Sequence, residues 1–384
     1  MKAGKYLLLT ILIFCSSVYM TGCWNYRELD KLAIVAAAAI DKGDSKRFKL
    51  TVEIVDLTGE RDSKEVSKTL TIEGNTIFDC ARSEIASSGE RLYWSHMKAL
   101  IVSKKIAKEG IVEVLDWFAR DSETRSDVSI LISSADTAKE ILQVQGAKEQ
   151  IKGFNINDSL RNEKSLSKAP KIDVMDMIAA LQSKGMSAIA PAVKLKKTNG
   201  NFSPTVLGTA FFKKDKLTGF LNEEETKALL FIRNEIKGGI LIEFAAGGEH
   251  GVPISLEVFR SKTKVQPVIN NGKIQFNISV ETSTAIDEIG GDADVINDTG
   301  RKELEQKAAE QLKRNMLQLI NKMQADYNID IFGFGVRLQQ EKPKVWKNVK
   351  NNWMEEFKNV DINISVYIHI RNSSMLSKPL EVGE

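Results

Sequence analysis

Ile34-Val35-Ala36-Ala37-Ala38-Ala39-Ile40-Asp41-Lys42-Gly43-Asp44, followed by Phe48-Lys49-Leu50-Thr51-Val52-Glu53-Ile54, decides the class of this fold. The first run is apolar and rich in alanine, and Asp41 to Asp44 is a turn signal. In the second run Phe48, Leu50, Val52 and Ile54 alternate with Lys49, Thr51 and Glu53, the period of a half-buried strand. Residues 33–56 therefore read as a β-hairpin. Downstream, Asn75 or Thr76 can cap a helix carrying Ile77, Phe78, Ala81 and Ile85 on one face. Residues 99–102 read as a strand, and Ile111, Val114, Leu115 and Phe118 fall at helical spacing. Residues 128–132 read as a buried strand, and Asp136 as the cap of a helix through Leu142. Strand–helix alternation of this kind predicts a mixed sheet with helices packed on it.

Residues 152–170 are polar, with few apolar anchors, and read as a long surface loop. A helix over 173–182 and a strand over 189–195 follow. Lys196-Lys197-Thr198-Asn199-Gly200-Asn201 reads as a linker or domain boundary. Strands are expected at 206–212 and 217–221, and Asn222 with three glutamates marks a helix start. Further strands are expected at 240–244, 254–260, 265–269 and 274–282, with Asn270-Asn271-Gly272 as a hairpin turn. The longest helix is expected over 301–326, with Leu304, Ala308, Leu312, Met316, Leu319, Ile320 and Met323 as its buried stripe. Two closing strands are expected at 331–339 and 362–370. Between them a helical Trp353–Phe357 pair packs the connection onto the sheet. The expected class is α+β, with mixed or antiparallel sheets and packed helices. The expected division is 1–22, 23–195, 200–265 and 266–384, that is, a leader and three α+β domains.

The 384 residues are 42% hydrophobic and 27% charged, the balance of a folded protein. A formal charge of +3 gives no electrostatic case for nucleic acid. Three Cys, at 15, 23 and 80, cannot build a disulfide scaffold, and three His, at 96, 250 and 369, match no zinc spacing.

The N-terminus reads as a leader. Lys2 and Lys5 precede an apolar run, 6–19, that is shorter than a membrane span. Thr21-Gly22-Cys23 resembles the lipobox of bacterial lipoproteins, with Met20 where Leu is usual. That resemblance implies a diacylglyceryl group on the Cys23 thiol, with or without an N-acyl chain, as the only lipid or cofactor. Removing 1–22 takes Lys2 and Lys5, so the mature chain is nearly neutral and bulk attraction to anionic lipid is not needed. Cys80 is then the only free thiol.

Candidate sites are few. Asp287, Glu288, Asp292, Asp294 and Asp298 lie in a Gly-containing stretch, but without EF-hand spacing they read as a solvated loop. Gly333-Phe334-Gly335 has too few glycines for a phosphate cradle and reads as a turn entering a strand. His96 reads as a hydrogen-bonded structural residue, and Cys80 as a buried, inert thiol. Arg120 to Arg125 reads as an exposed charge network. No nucleophile elbow, zinc-protease motif or Walker loop occurs.

Several stretches together resemble one family. Cys23-Trp24-Asn25-Tyr26-Arg27-Glu28-Leu29-Asp30 resembles the mature start of the C-subunit lipoproteins of spore germinant receptors, the Ger(x)C family. His96-Met97-Lys98, the helix over 110–120 with Arg120-Asp121-Ser122-Glu123, and Gly208-Thr209-Ala210-Phe211 agree with it. So do Asp330-Ile331-Phe332-Gly333-Phe334-Gly335, the Trp346, Trp353, Phe357 spacing and the Asp41-Lys42-Gly43 turn, although Ala39 stands where Gly is expected. The resemblance implies a three-domain α+β, non-enzymatic subunit. Its setting is a complex in the spore inner membrane, outside the cytoplasm, with a transmembrane A subunit and a transporter-like B subunit, answering small nutrients. It implies no catalytic, cofactor or metal residue; Cys23 alone carries over. The other readings are a solute-binding lipoprotein serving a transporter, which needs two α/β lobes around a pocket, and an extracytoplasmic hydrolase, which needs a base beside His96.

Overall fold

The computed structural model describes residues 3–6, 10, 32–55, 67–89, 91–144, 151–162, 165–198, 200–245, 251–290 and 297–372. Cys15, Cys23 and most of the expected leader lie outside the described residues.

The opening hairpin forms as read. β1 (Leu32–Lys42) and β2 (Phe48–Val55) pair antiparallel, with Ala38 opposite Val52 and Ile40 opposite Leu50. β3 (Ser67–Gly74) pairs with β2, and the Thr76 hydroxyl accepts from the Asp79 N–H at 3.0 Å to start α1 (Ile77–Ser88). β4 (Arg91–Tyr93) and β5 (Ala99–Ser103) lie parallel to β1. Ser103 caps α2 (Lys104–Glu109), and α3 (Val112–Arg120) buries Val114, Leu115 and Phe118. β6 (Ser129–Ser133) is parallel to β5. The short α4 (Lys139–Gln143), then α5 (Lys152–Asn162) and α6 (Val174–Gln182), precede β7 (Ile189–Thr198), which is parallel to β6. β8 (Asn201–Lys213) and β9 (Lys216–Leu221) close the sheet as antiparallel neighbours. The order is β3-β2-β1-β5-β6-β7-β8-β9, with β4 beside β1.

The parallel centre explains the alanine run. Parallel strands are covered on both faces. Val35, Ala38, Ile40, Leu100, Val102, Ile130 and Ile132 face one core. Ala37, Ala39, Ala99, Ile101 and Leu131 face a second core, closed by Ile141, Leu142, Ile156 and Leu160 of α4 and α5. A Cβ at Gly153 would lie 2.5 Å from the Ala36 carbonyl oxygen and 2.8 Å from the Ala37 Cβ, so α5 approaches β1 to backbone contact. Only small residues fit beneath it.

α7 (Glu223–Ile232) starts at a capping box in which Asn222 and Glu225 each bond the other's N–H. A second sheet follows. β10 (Ile240–Ala245), β11 (Val252–Asn270) and β12 (Lys273–Ile289) are antiparallel neighbours, and β13 (Asp361–Asn372) lies parallel to β12. The β11–β12 turn has Asn271 at φ 48° and Gly272 at φ 79°, the paired left-handed residues of a type I′ turn. α8 (Asp298–Lys322) lays Leu304, Ala308, Leu312 and Met316 on this sheet and continues into one wide turn, Met323–Tyr327. α9 (Phe334–Glu341), α10 (Pro343–Val349) and α11 (Trp353–Lys358) lead into β13. The molecule is α+β, with mixed sheets and packed helices.

Five expectations need correction. The stretch 152–170 is not all loop: α5 occupies 152–162, held by Ile156 and Leu160, which are four apart and each 2% exposed. Burying two such side chains contributes about 3–6 kcal/mol, enough to order a polar segment. Asp136 does not cap α4; it pairs with Lys104, and Thr137 accepts from the Glu140 N–H. β2 is not half-buried, because α4 and α5 cover its polar face and leave Thr51 and Glu53 fully buried. The expected strand over 331–339 is the helix α9, whose Phe334 and Leu338 lie on one buried face. The expected strands at 254–260 and 265–269 are one strand, β11. The expected limits at 195–200 and 265–266 lie within the β7–β8 hairpin and within β11. Lys196, Lys197, Gly200 and Asn201 are exposed at the end of that hairpin.

Candidate functional site

Buried carboxylates are where chemistry would be sought, because a charge in low dielectric needs a partner. The deepest is Asp330, fully buried between the end of α8 and α9. Its Oδ1 accepts from the N–H groups of Phe332 (3.0 Å), Gly333 (2.9 Å) and Phe334 (3.2 Å). Its Oδ2 accepts from the Gly335 N–H and the Trp353 Nε1–H, both at 2.9 Å. Burial pushes the carboxyl above its ordinary range, and these donors oppose it. The glycines serve this cage. Gly333 has φ 80°, and a Cβ at Gly335 would lie 2.5 Å from Trp353 Nε1 and 2.7 Å from Gly185 Cα. Phe334, Phe332 and Phe357 pack around it, with Phe334 stacked on Phe276 of β12 at 4.8 Å.

Two further carboxylates act alike. Glu53 accepts from the Lys152 and Gly153 N–H groups, each at 2.8 Å, and from the Ser67 hydroxyl at 2.9 Å. Asp41 accepts from the Ala138 and Lys139 N–H groups, each at 2.8 Å. Each lies at a helix N-terminus, where unpaired N–H groups and the dipole favour an anion. Burial pushes Asp41 up, against these bonds. All three acids tie one element to another across the chain; none faces a cavity with a free lone pair and a reactive partner.

The residues singled out in the sequence do not converge. Cys80 is fully buried, its Sγ 3.9 Å from the Phe48 carbonyl, and burial pushes the thiol up to about 11. It is an inert core thiol, as expected. His96, expected to be a hydrogen-bonded structural residue, is exposed; it ends the turn after β4, with its ring 5.8 Å from that of Tyr93. Arg120 pairs with Asp116, Arg125 with Asp127, and Glu123 with Arg91. That stretch is a surface network that also fastens the end of α3 to β4. Asp287 and Glu288 stand on β12 rather than in a loop, Asp298 pairs with Arg301 on α8, and Asp292 and Asp294 lie outside the described residues. No group of three His, Cys, Asp or Glu among the described residues is arranged to hold a metal.

Sequence reasoning passed over Asp41, Glu53, Asp330 and Glu243. The signal for Asp330 was an acid inside the apolar run Ile329-Asp330-Ile331-Phe332. Glu243 on β10 is pushed up to about 7, chiefly by burial and further by Glu224, while Arg314 and Lys227 pull it down. The large concavities are open grooves. One of about 520 Å³ lies between α8 and β13; another of about 630 Å³ lies around Ser134, Glu140, Lys194 and Phe202. Neither brings a nucleophile to a base. No helix among the described residues is long and apolar enough to cross a membrane.

A structure organised by caged carboxylates is best compared along its whole length. Residues 25–195 match the model of the spore germination protein N-terminal domain, and residues 207–374 that of the spore germination B3/GerAC-like C-terminal domain. The chain belongs to the Ger(x)C family. The two Ger(x)C models meet across the β7–β8 hairpin. Among curated relatives from Bacillus subtilis (strain 168), spore germination protein B3 is 26% identical over 95% of this chain and 98% of its own. Spore germination protein KC is 24% identical over 97% of both chains. The crystal structure of the GerBC protein superposes with a TM-score of 0.57 at 24% identity, covering 87% of this chain and 96% of that one. That likeness extends the Ger(x)C assignment to the fold.

Proposed function

We propose that this chain is the lipid-anchored, non-enzymatic C subunit of a nutrient germinant receptor and is needed for nutrient-triggered spore germination. The observation that carries this is the pair of Ger(x)C models spanning the chain from residue 25 to residue 374. Diacylglyceryl on Cys23 holds it to the outer face of the spore inner membrane, each buried CH₂ contributing about 0.8 kcal/mol. Its partners are the transmembrane A and B subunits. The buried acids support a non-enzymatic role, because their oxygens accept backbone N–H groups that hold helices in place.

Affinity purification of this chain from detergent-solubilised spore membranes tests the reading. The A and B subunits are expected to co-purify in constant ratio. Recovery without either, from membranes that contain both, contradicts it. Cys23→Ala is expected to yield an unlipidated chain by mass spectrometry; a lipid mass on that variant would overturn the anchor.

A further inference from the structure

β13 is the outer strand of the second sheet, twelve residues long and, among the described residues, paired only with β12. Long unpaired edges invite another strand, and proteins usually block them with prolines, bulges, inward charges or short length. β13 has no proline, no inward charge and no register shift before Ile370, and Glu305 of α8 covers only its Ile370 end, whereas the opposite edge, β10, is six residues long. The groove of about 520 Å³ runs along this edge, floored by Ile364, Val366 and Ile368 and walled by α8.

The backbone direction is fixed by one bond. The Ile370 N–H donates to Glu305 Oε1 at 2.7 Å, so it points away from β12. N–H and C=O of one residue point to the same side, and successive residues alternate. Ile362, Ile364, Val366 and Ile368 therefore also present their backbone groups to the open edge. Their side chains lie on the α8 face, while Asp361, Asn363, Ser365, Tyr367, His369 and Arg371 stand exposed on the other.

Read outward from Val366, this strand is complementary to itself. An antiparallel copy centred there sets Ile364 against Ile368, Ser365 against Tyr367, Asn363 against His369 and Asp361 against Arg371, and it sets Ile362 against Ile370 once the partner's Ile362 carbonyl takes the Ile370 N–H from Glu305. The apolar residues meet on one face, and the two charges of opposite sign meet at both ends. Asp361 and Arg371 make no ion pair among the described residues. Shifting the centre by two residues in either direction loses the charge match.

We propose that the free edge of β13 is an interface for a second copy of this chain, joined by two-fold antiparallel pairing about Val366 into one continuous eight-stranded sheet. A closed two-fold contact leaves no β13 edge open for further growth.

Sedimentation of the full chain in detergent over a concentration series tests this. The wild type is expected to pass from monomer to dimer as its concentration rises. Asp361→Arg, at an exposed site, is expected to weaken the dimer at least about tenfold by setting like charges opposite each other at both ends. Asp361→Arg with Arg371→Asp is expected to restore it. Val366→Cys is expected to form an intermolecular disulfide on mild oxidation, since directly opposed hydrogen-bonded residues lie about 5.5 Å apart at Cα. A wild type that stays monomeric throughout, or a dimer indifferent to Asp361→Arg, overturns the proposal.

Discussion

Asp330 is the residue on which the C-terminal half turns. Five donors converge on it from the turn, α9 and Trp353, so the carboxylate fixes where three segments meet. Asp330→Ala strands those donors in a dry site. Equilibrium urea unfolding is expected to show a loss of about 3–5 kcal/mol, the cost of breaking a buried charged network. Glu243 gives the opposite case. Its folded value of about 7 lies above the ordinary 4.5. Above pH 7 the group is charged in both states, and the folded state carries the whole desolvation cost. That cost fades as pH falls through the folded value toward the ordinary one, where both states are protonated. Glu243→Gln is therefore expected to stabilise the protein by about 1 kcal/mol near pH 8, and not near pH 4, in thermal melts at the two values. Residues of this kind were poorly legible. Glu53 fell on the polar phase of an alternating strand, and alternation alone cannot reveal that helices cover both phases.

At the scale of elements, legibility followed the strength of local signals. The helix start at Asn222, the Asn271-Gly272 turn and the stripe of α8 are local, and each formed where the sequence placed it. α5 and α9 were missed because tertiary contacts make them. α5 has only Ile156 and Leu160 as anchors, and its N-terminus is held by Glu53, a hundred residues earlier. α9 begins on the Asp330 cage. Gly153→Leu tests the tertiary origin of α5. The new side chain meets the backbone of Ala36 and cannot be absorbed by a rotamer change. A loss of about 2–3 kcal/mol in chemical denaturation is expected, with raised amide exchange over α5 and β1. An exposed substitution such as Asn162→Leu, at the end of the same helix, is expected to cost little.

The whole molecule joins two mixed sheets through one large apolar core, which runs from Val35 on β1 to Ile370 on β13. That core runs across the expected limits at 195–200 and 265–266, because composition marks exposed turns and not the packing beneath them. The caged acids were not legible as a site, because Asp41, Glu53 and Asp330 sit in a turn, an alternating strand and an apolar run, and Cys23 lies outside the described residues. The proposed role in nutrient-triggered germination is open to direct measurement. The most direct test is germination of spores deleted for this chain, in a strain without other nutrient receptors, followed as loss of optical density after nutrient addition. The account predicts that germination is abolished or slowed and is restored by the wild-type chain. Germination at the parental rate in the deleted strain would contradict it.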